Sequence, residues 1–229
     1  MINRVRRIDD QVQVAHALVS VDDKSGLESL ITGLLTTNPG ITIYSTGGTF
    51  AKIEQILGAR STRHLKSVSE YTGQPEMQGG LVKTLDFKIY LGLLSETYND
   101  AHARDLERVA GVRFDLVVSN LYPFSKAIST AGASCEDARA NIDIGGPCMV
   151  RAAAKNFLRV AVVSDPKDYE LLLDELRAND GATTLVTRFR LAQRAFARIA
   201  EYGSAISAYL SALDPASVEA SYSFTQEPQ

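Results

Sequence analysis

Apolar residues arrive in two rhythms along this chain. Ala17–Val21 (ALVSV) is a short apolar run and predicts a buried strand. From Ser25 the spacing changes: Leu27, Leu30, Ile31, Leu34 and Leu35 recur every three or four residues. Asn38-Pro39-Gly40 stops the helix they predict. Ile41–Tyr44 predicts a second strand. Ser45-Thr46-Gly47-Gly48-Thr49 then leads into a second amphipathic helix carrying Ile53, Ile56 and Leu57. Strand, helix, strand, helix at short spacing predicts parallel strands joined by crossovers.

Ser67–Phe87 is rich in Gly, Ser, Thr and Pro and predicts a long loop, a feature that is usually functional in a compact domain. Asp100–Ala110 predicts a helix and Phe114–Ser119 (FDLVVS) a buried strand. Ser134–Ile142 predicts a short helix with Ser134 as its N-cap. Asp143–Asn156 joins a Gly-Gly-Pro turn to an Ala-rich helical start, and Arg159–Ser164 (RVAVVS) predicts a further strand. Asp165-Pro166 opens a helix to Arg177, with proline in its first turn. A last long helix spans Thr184–Leu210, with Leu191, Ala195, Phe196, Ile199 and Ile206 expected toward the core. The polar tail Asp214–Gln229 is expected to fray.

The chain has 229 residues, 45% hydrophobic and 22% charged, enough to build a core without disulfides or metal. With a net charge of -3 and no long Lys/Arg run, it lacks the broad positive field of a nucleic-acid binder, so an anionic ligand must be held by local groups. Cys135 and Cys148 lack metal-ligand spacing and are read as free buried thiols. His16, His64 and His102 are scattered, so no metal site is expected. Met1–Gln13 has no apolar core of the kind a signal peptide carries, and no apolar run reaches the roughly 18 residues of a membrane helix. A cytoplasmic protein without membrane contact is expected.

The chemistry gathers at predicted strand ends. Ser20-Val21-Asp22-Asp23-Lys24-Ser25-Gly26 follows the first strand and Ser45-Thr46-Gly47-Gly48-Thr49 the second. In a parallel sheet both loops lie at the carboxyl edge, each feeding a helix N-terminus whose amides and dipole favour an anion. The glycines allow close approach, and the hydroxyls and Lys24 add donors, so a phosphate cradle is one reading. Helix capping with a tight turn is the other, since neither the dinucleotide fingerprint nor the P-loop is present. Lys83, in Gly80-Leu81-Val82-Lys83-Thr84-Leu85, is a candidate to stabilise developing negative charge or simply a solvated loop lysine. Tyr122, in Asn120-Leu121-Tyr122-Pro123-Phe124, is a candidate proton carrier or a packed tyrosine. Asp143 and Lys155 flank Gly145-Gly146-Pro147 and Arg151-Ala152-Ala153-Ala154, and could converge across the turn.

Together these segments resemble one family. S-V-D-D-K-S-G-L, S-T-G-G-T, T-G-Q-P-E-M-Q-G-G-L-V-K-T-L, N-L-Y-P-F, N-I-D-I-G-G-P and R-A-A-A-K-N stand in the order and spacing of the inosine monophosphate (IMP) cyclohydrolase domain of the bifunctional purine biosynthesis proteins, from about Ala17 to Leu210. The resemblance implies an α/β, methylglyoxal-synthase-like three-layer fold with a mainly parallel sheet and a C-terminal helical extension. It implies one domain over residues 1–229, with the core over 15–165, the extension over 166–212 and the tail over 213–229. It implies ring closure of formyl-aminoimidazole-carboxamide ribonucleotide to IMP with no cofactor. Lys83, Tyr122, Asp143 and Lys155 would be catalytic. Ser20, Lys24, Ser45, Thr46, Gly47, Gly48, Thr49, Thr84, Asn120 and Gly145 would hold the purine ribonucleotide and its phosphate. A homodimer, working alongside a separate formyltransferase, is the expected assembly.

Some positions depart from the family pattern. Leu81 stands where arginine is usual, Asp86-Phe87 where His-Pro is usual, Lys88-Ile89-Tyr90-Leu91-Gly92 where K-I-H-G-G is usual, and Asp22 where serine is common. Losing the arginine removes a fixed bidentate donor. Two other readings therefore stay open: a methylglyoxal-synthase-type lyase, and a non-catalytic nucleotide-binding domain.

Overall fold

The apolar run at Ala17 forms the central strand of a five-stranded parallel sheet. The computed structural model describes residues 4–74, 84–122, 124–129 and 132–225. Its strands are β1 (Val12–Gln13), β2 (His16–Val19), β3 (Thr42–Ser45), β4 (Leu65–Ser67), β5 (Leu116–Val118), β6 (Ala161–Val163) and β7 (Ala182–Thr183). The main sheet has the order β4-β3-β2-β5-β6. Leu18 pairs with Tyr44 of β3 on one side and Val117 of β5 on the other, both parallel. The chain therefore winds outward from β2 to β4, then returns to wind outward through β5 and β6. That reversal puts a topological switch point between the carboxyl ends of β2 and β5.

The four strands expected in the parallel sheet are all present, displaced by one or two residues at their ends. β4 was not expected, because Leu-Lys-Ser offers one apolar side chain and no alternation. β1 and β7 form a separate antiparallel pair, which ties the N-terminal arm to the chain entering the last long helix.

Helices cover both faces. They are α1 (Leu27–Thr37), α2 (Gly47–Leu57), α3 (Ser61–His64), α4 (Val68–Thr72), α5 (Phe87–Leu94), α6 (Asp100–Arg108), α7 (Phe124–Ile128), α8 (Cys135–Ala140), α9 (Gly145–Lys155), α10 (Tyr169–Ala178), α11 (Leu185–Ala212) and α12 (Pro215–Glu219). Alternation along each strand divides the core. Ala17, Val19, Ile43, Leu116, Val118, Ala161 and Val163 pack with α1, α2 and α10. Leu18, Tyr44, Val117 and Val162 pack with α5, α9 and α11. The result is the expected three layers. Ser134 caps α8 through a full capping box with Asp137, as its sequence suggests.

Four expectations change. Phe196 is 41% exposed, while Leu191, Ala192 and Ala195 make the buried stripe of α11. The tail does not simply fray: Asp214 caps α12, and the Tyr222 hydroxyl donates to Glu136 Oε2 at 2.7 Å. Cys135 and Cys148 are free but only partly buried. The predicted Ser67–Phe87 loop contains α4 and the first residue of α5.

One buried arginine locks α11 in place. Arg188 is fully buried and donates to the carbonyls of Asp9, Asp10, Phe157, Leu158 and Thr183. A second, Arg159, pairs with Asp115 at 3.0 Å beneath the sheet's amino edge. Among the described residues, no helix is long and apolar enough to cross a membrane.

Candidate functional site

The loops after β2, β3, β5 and β6 meet at the carboxyl edge of the sheet. Asn120 ties two of them across the switch point. Its Oδ1 accepts the amides of Asp22 and Asp23 at 2.6 and 3.0 Å, and its Nδ2 donates to the Asp23 carbonyl at 2.7 Å. A residue expected to hold substrate thus holds the neighbouring loop at Asp22 and Asp23. Ser20 continues β2, its amide donating to Val118 O at 2.9 Å.

Beside this clasp lie the residues expected to form a phosphate cradle. Gly47 has φ 53°, which lets the chain turn from β3 straight into α2. The first-turn amides of α2 have no acceptor within the helix, Thr46 gives them no side-chain cap, and no acidic residue sits in that turn. Lys24 reaches across: a Cβ on Gly48 would stand 4.0 Å from its Nζ. An ammonium aimed at the positive end of a helix is unfavourable alone and favourable once an anion lies between them. Two expected donors are not available, however. The Ser45 hydroxyl donates to Val19 O at 2.7 Å and the Thr49 hydroxyl to Val21 O at 2.9 Å, and each has a single proton. These buried hydroxyls brace the loop, which leaves Lys24 and the backbone amides as the groups that could meet an anion there.

The second half of the site is a cavity of about 710 Å³ at the switch point, lined in part by Asp22, Asn120, Tyr122, Lys167, Arg198 and Tyr202. Its size is within the range of small-molecule sites. Tyr122 stands at its edge, 49% exposed, so it is not packed into the core.

Asp143, at the start of α9, contacts two residues that line this cavity, Tyr122 and Tyr202. Its Oδ1 accepts the Gly146 amide at 3.1 Å, and the Gly145 and Tyr122 amides also favour its charged form. Burial outweighs them and holds the carboxyl above its usual range, with the nearby Asp22 charge adding to the rise. A base so raised is better matched to neutral pH than an ordinary aspartate. The glycine pair is required sterically. A Cβ on Gly145 would meet Thr84 Oγ1 at 2.9 Å, and one on Gly146 would overlap the Asp143 carboxyl. Thr84, Gly145 and Asp143 therefore do come together.

Lys155 does not join them. It is exposed at the far end of the 11-residue α9, and at about 1.5 Å per residue it stands roughly 15 Å from Gly145. The convergence across the turn fails because the residues between are continuous helix. Lys83 and Leu81 lie outside the described residues. Arg198 and Tyr202 were missed, because they sit on a helix read only for its apolar stripe. Their helical spacing from Ala195 and Ile199 carried no signal of a cavity. Among the described residues, no group of three His, Cys, Asp or Glu side chains is placed to hold a metal ion.

Comparison with known proteins places this geometry. A family model described as "MGS-like domain" matches residues 27–148, and one described as "AICARFT/IMPCHase bienzyme" matches residues 153–228. The chain is 43% identical over 198 residues to the bifunctional purine biosynthesis protein PurH of Leptospira biflexa, covering 86% of this chain and 37% of that protein. It is 47% identical over 199 residues to PurH of Cereibacter sphaeroides, covering 87% of this chain and 36% of that protein. It thus spans a little over a third of the length of these relatives. A solved structure described as "Crystal structure of ForH" superposes with a TM-score of 0.68 at 31% identity, covering 85% of this chain and 97% of that one. With its parallel sheet, its carboxyl-edge site and a family match over residues 27–148, the chain belongs to the family of MGS-like domains.

Proposed function

We propose that this protein is an IMP cyclohydrolase, closing the purine ring of formyl-aminoimidazole-carboxamide ribonucleotide with loss of water. The observation that carries this reading is the Asp143 carboxyl, fixed at the N-terminus of α9 beside Tyr122 and Tyr202, which line a nucleotide-sized cavity. The similarity to bifunctional PurH proteins supports the substrate class.

In this reading Lys24 and the α2 amides hold the phosphate, and the base reaches toward Asp143. The carboxamide nitrogen attacks the formyl carbon while the Asp143 carboxylate takes the N–H proton. The formyl oxygen gains charge and is protonated to a hydroxyl; a second proton then takes it off as water as the former formamide nitrogen gives up its N–H and closes the ring C=N bond. Tyr122, at the cavity edge, is assigned the relay of a proton to that oxygen. Lys83 is assigned to the developing oxyanion by family resemblance. Both reacting groups sit on one ring, so holding them adjacent supplies much of the acceleration. Lys155 has no part at the Asp143 end of α9.

The same reading makes residues 1–229 one cytoplasmic domain that pairs with a second copy of itself, the exposed Phe196 side of α11 supplying apolar surface, and that works beside a separate formyltransferase. Sedimentation tests the dimer. Ultraviolet-monitored ring closure by purified protein tests the activity: IMP formation that is lost in Lys83→Ala supports it. Methylglyoxal from dihydroxyacetone phosphate instead would establish the lyase, and nucleotide binding with zero turnover the non-catalytic domain.

A further inference from the structure

Asp143 has a backbone partner from a distant part of the chain. Its amide donates to the Tyr202 hydroxyl at 2.7 Å, across 59 residues of sequence. Tyr202 sits on α11 and borders the cavity. Its ring is fixed by an edge-to-face contact with Phe124 of α7, centroids 6.4 Å apart at 75°. Phe124 is itself 1% exposed. The helix carrying Tyr202 is anchored at its start by the buried Arg188.

We infer that Tyr202 is a positioning residue for ring closure, an inference that rests on the cyclohydrolase reading above. By accepting the Asp143 amide, the phenol fixes the peptide just before Gly145–Gly146. The carboxyl is then held from both sides, by its own backbone through Tyr202 and by the Gly146 amide through Oδ1. The missing Cβ at Gly146 leaves the space that the carboxyl occupies on that side. A phenol accepting one N–H keeps its own proton to donate, so the contact does not consume the donor that Tyr202 presents at the cavity wall. Asp22 from the loop after β2 and the Tyr202 phenol from α11 are titratable groups that face Asp143. Of these, only Tyr202 touches its backbone.

The test is Tyr202→Phe, which keeps the ring and its contact with Phe124. The expected kcat falls about tenfold, in line with losing one positioning hydrogen bond, with KM within about twofold. The acid limb of the kcat profile should move toward that of an ordinary carboxylate as the loop admits water. Amide exchange at Asp143 should quicken by at least about tenfold, while the melting temperature moves by only a few degrees. Unchanged kcat, acid limb and Asp143 exchange in a folded variant would overturn the inference. A wild-type protein that makes no IMP defeats the cyclohydrolase reading instead. In that case the exchange rate and the Asp143 carboxyl titration read by NMR still decide whether Tyr202 positions the aspartate.

Discussion

Gly146→Ala offers a sharp separation of chemistry from stability. The new Cβ would overlap the outer oxygen of Asp143 and stand 3.2 Å from its Cγ, with Leu121 Cδ2 closing the other side at 3.4 Å. Ordinary carbon–carbon contacts lie at about 3.5–4.0 Å, so the carboxyl carbon must retreat by about 0.3–0.8 Å and its oxygen by more. That motion pulls Oδ1 off the Gly146 amide, now 3.1 Å away. A misplacement approaching 1 Å in a reacting group costs on the order of 100-fold. The expected kcat is therefore about 30–100-fold down. Stability has two opposing terms: alanine gains up to about 1 kcal/mol over glycine within a helix, while a hydrogen bond to a charged group contributes about 1.5–3 kcal/mol. The net loss should be no more than about 2 kcal/mol, and the protein should fold. The assay pairs ring-closure kinetics with thermal unfolding on the same preparation. A variant within twofold of wild-type kcat would refute the claim that the Asp143 carboxyl position is what the glycine protects.

Three further outcomes follow from the same geometry. Lys24→Ala should raise KM about 10–100-fold, the scale of one charge-assisted bond to phosphate, with a smaller effect on kcat; initial-rate kinetics read this directly. Because burial raises the Asp143 carboxyl above its usual range, the folded protein binds that proton more tightly than the unfolded chain. The carboxylate that the proposed ring closure needs as base is then lost as pH falls through a midpoint above the ordinary value near 3.9. Ionisation also costs stability at neutral pH, so Asp143→Asn should lose turnover while melting at or above the wild-type temperature. Arg188→Met should leave five carbonyls without their donor. At about 1–3 kcal/mol per stranded group, even partial rehydration leaves a loss of several kcal/mol out of a typical 5–15, visible in urea unfolding as a collapsed midpoint or no folded protein.

The sequence by itself determined the layers. Buried strands such as Ala17–Val21 and Arg159–Ser164 are apolar on both faces, and helices such as Leu27–Leu35 are apolar on one. Those periods translate directly into a covered parallel sheet, because each reports a local geometry. It also offered the chemical candidates: Lys24 beside Gly47-Gly48, and the Asp143-Gly-Gly turn, are residue types that only certain backbones or ligands require. β4 escaped notice because three residues carry too little pattern, and its place is set by pairing with β3. What only the tertiary structure decided was which of these groups meet. Ser45 and Thr49 spend their protons on carbonyls of a neighbouring segment, Asn120 clasps the loop at Asp22 and Asp23, and continuous helix carries Lys155 away from Asp143. Tyr202 reaches Asp143 only because Arg188 and the sheet hold α11 across it. Such meetings depend on contacts far apart in the chain, and no local period encodes them.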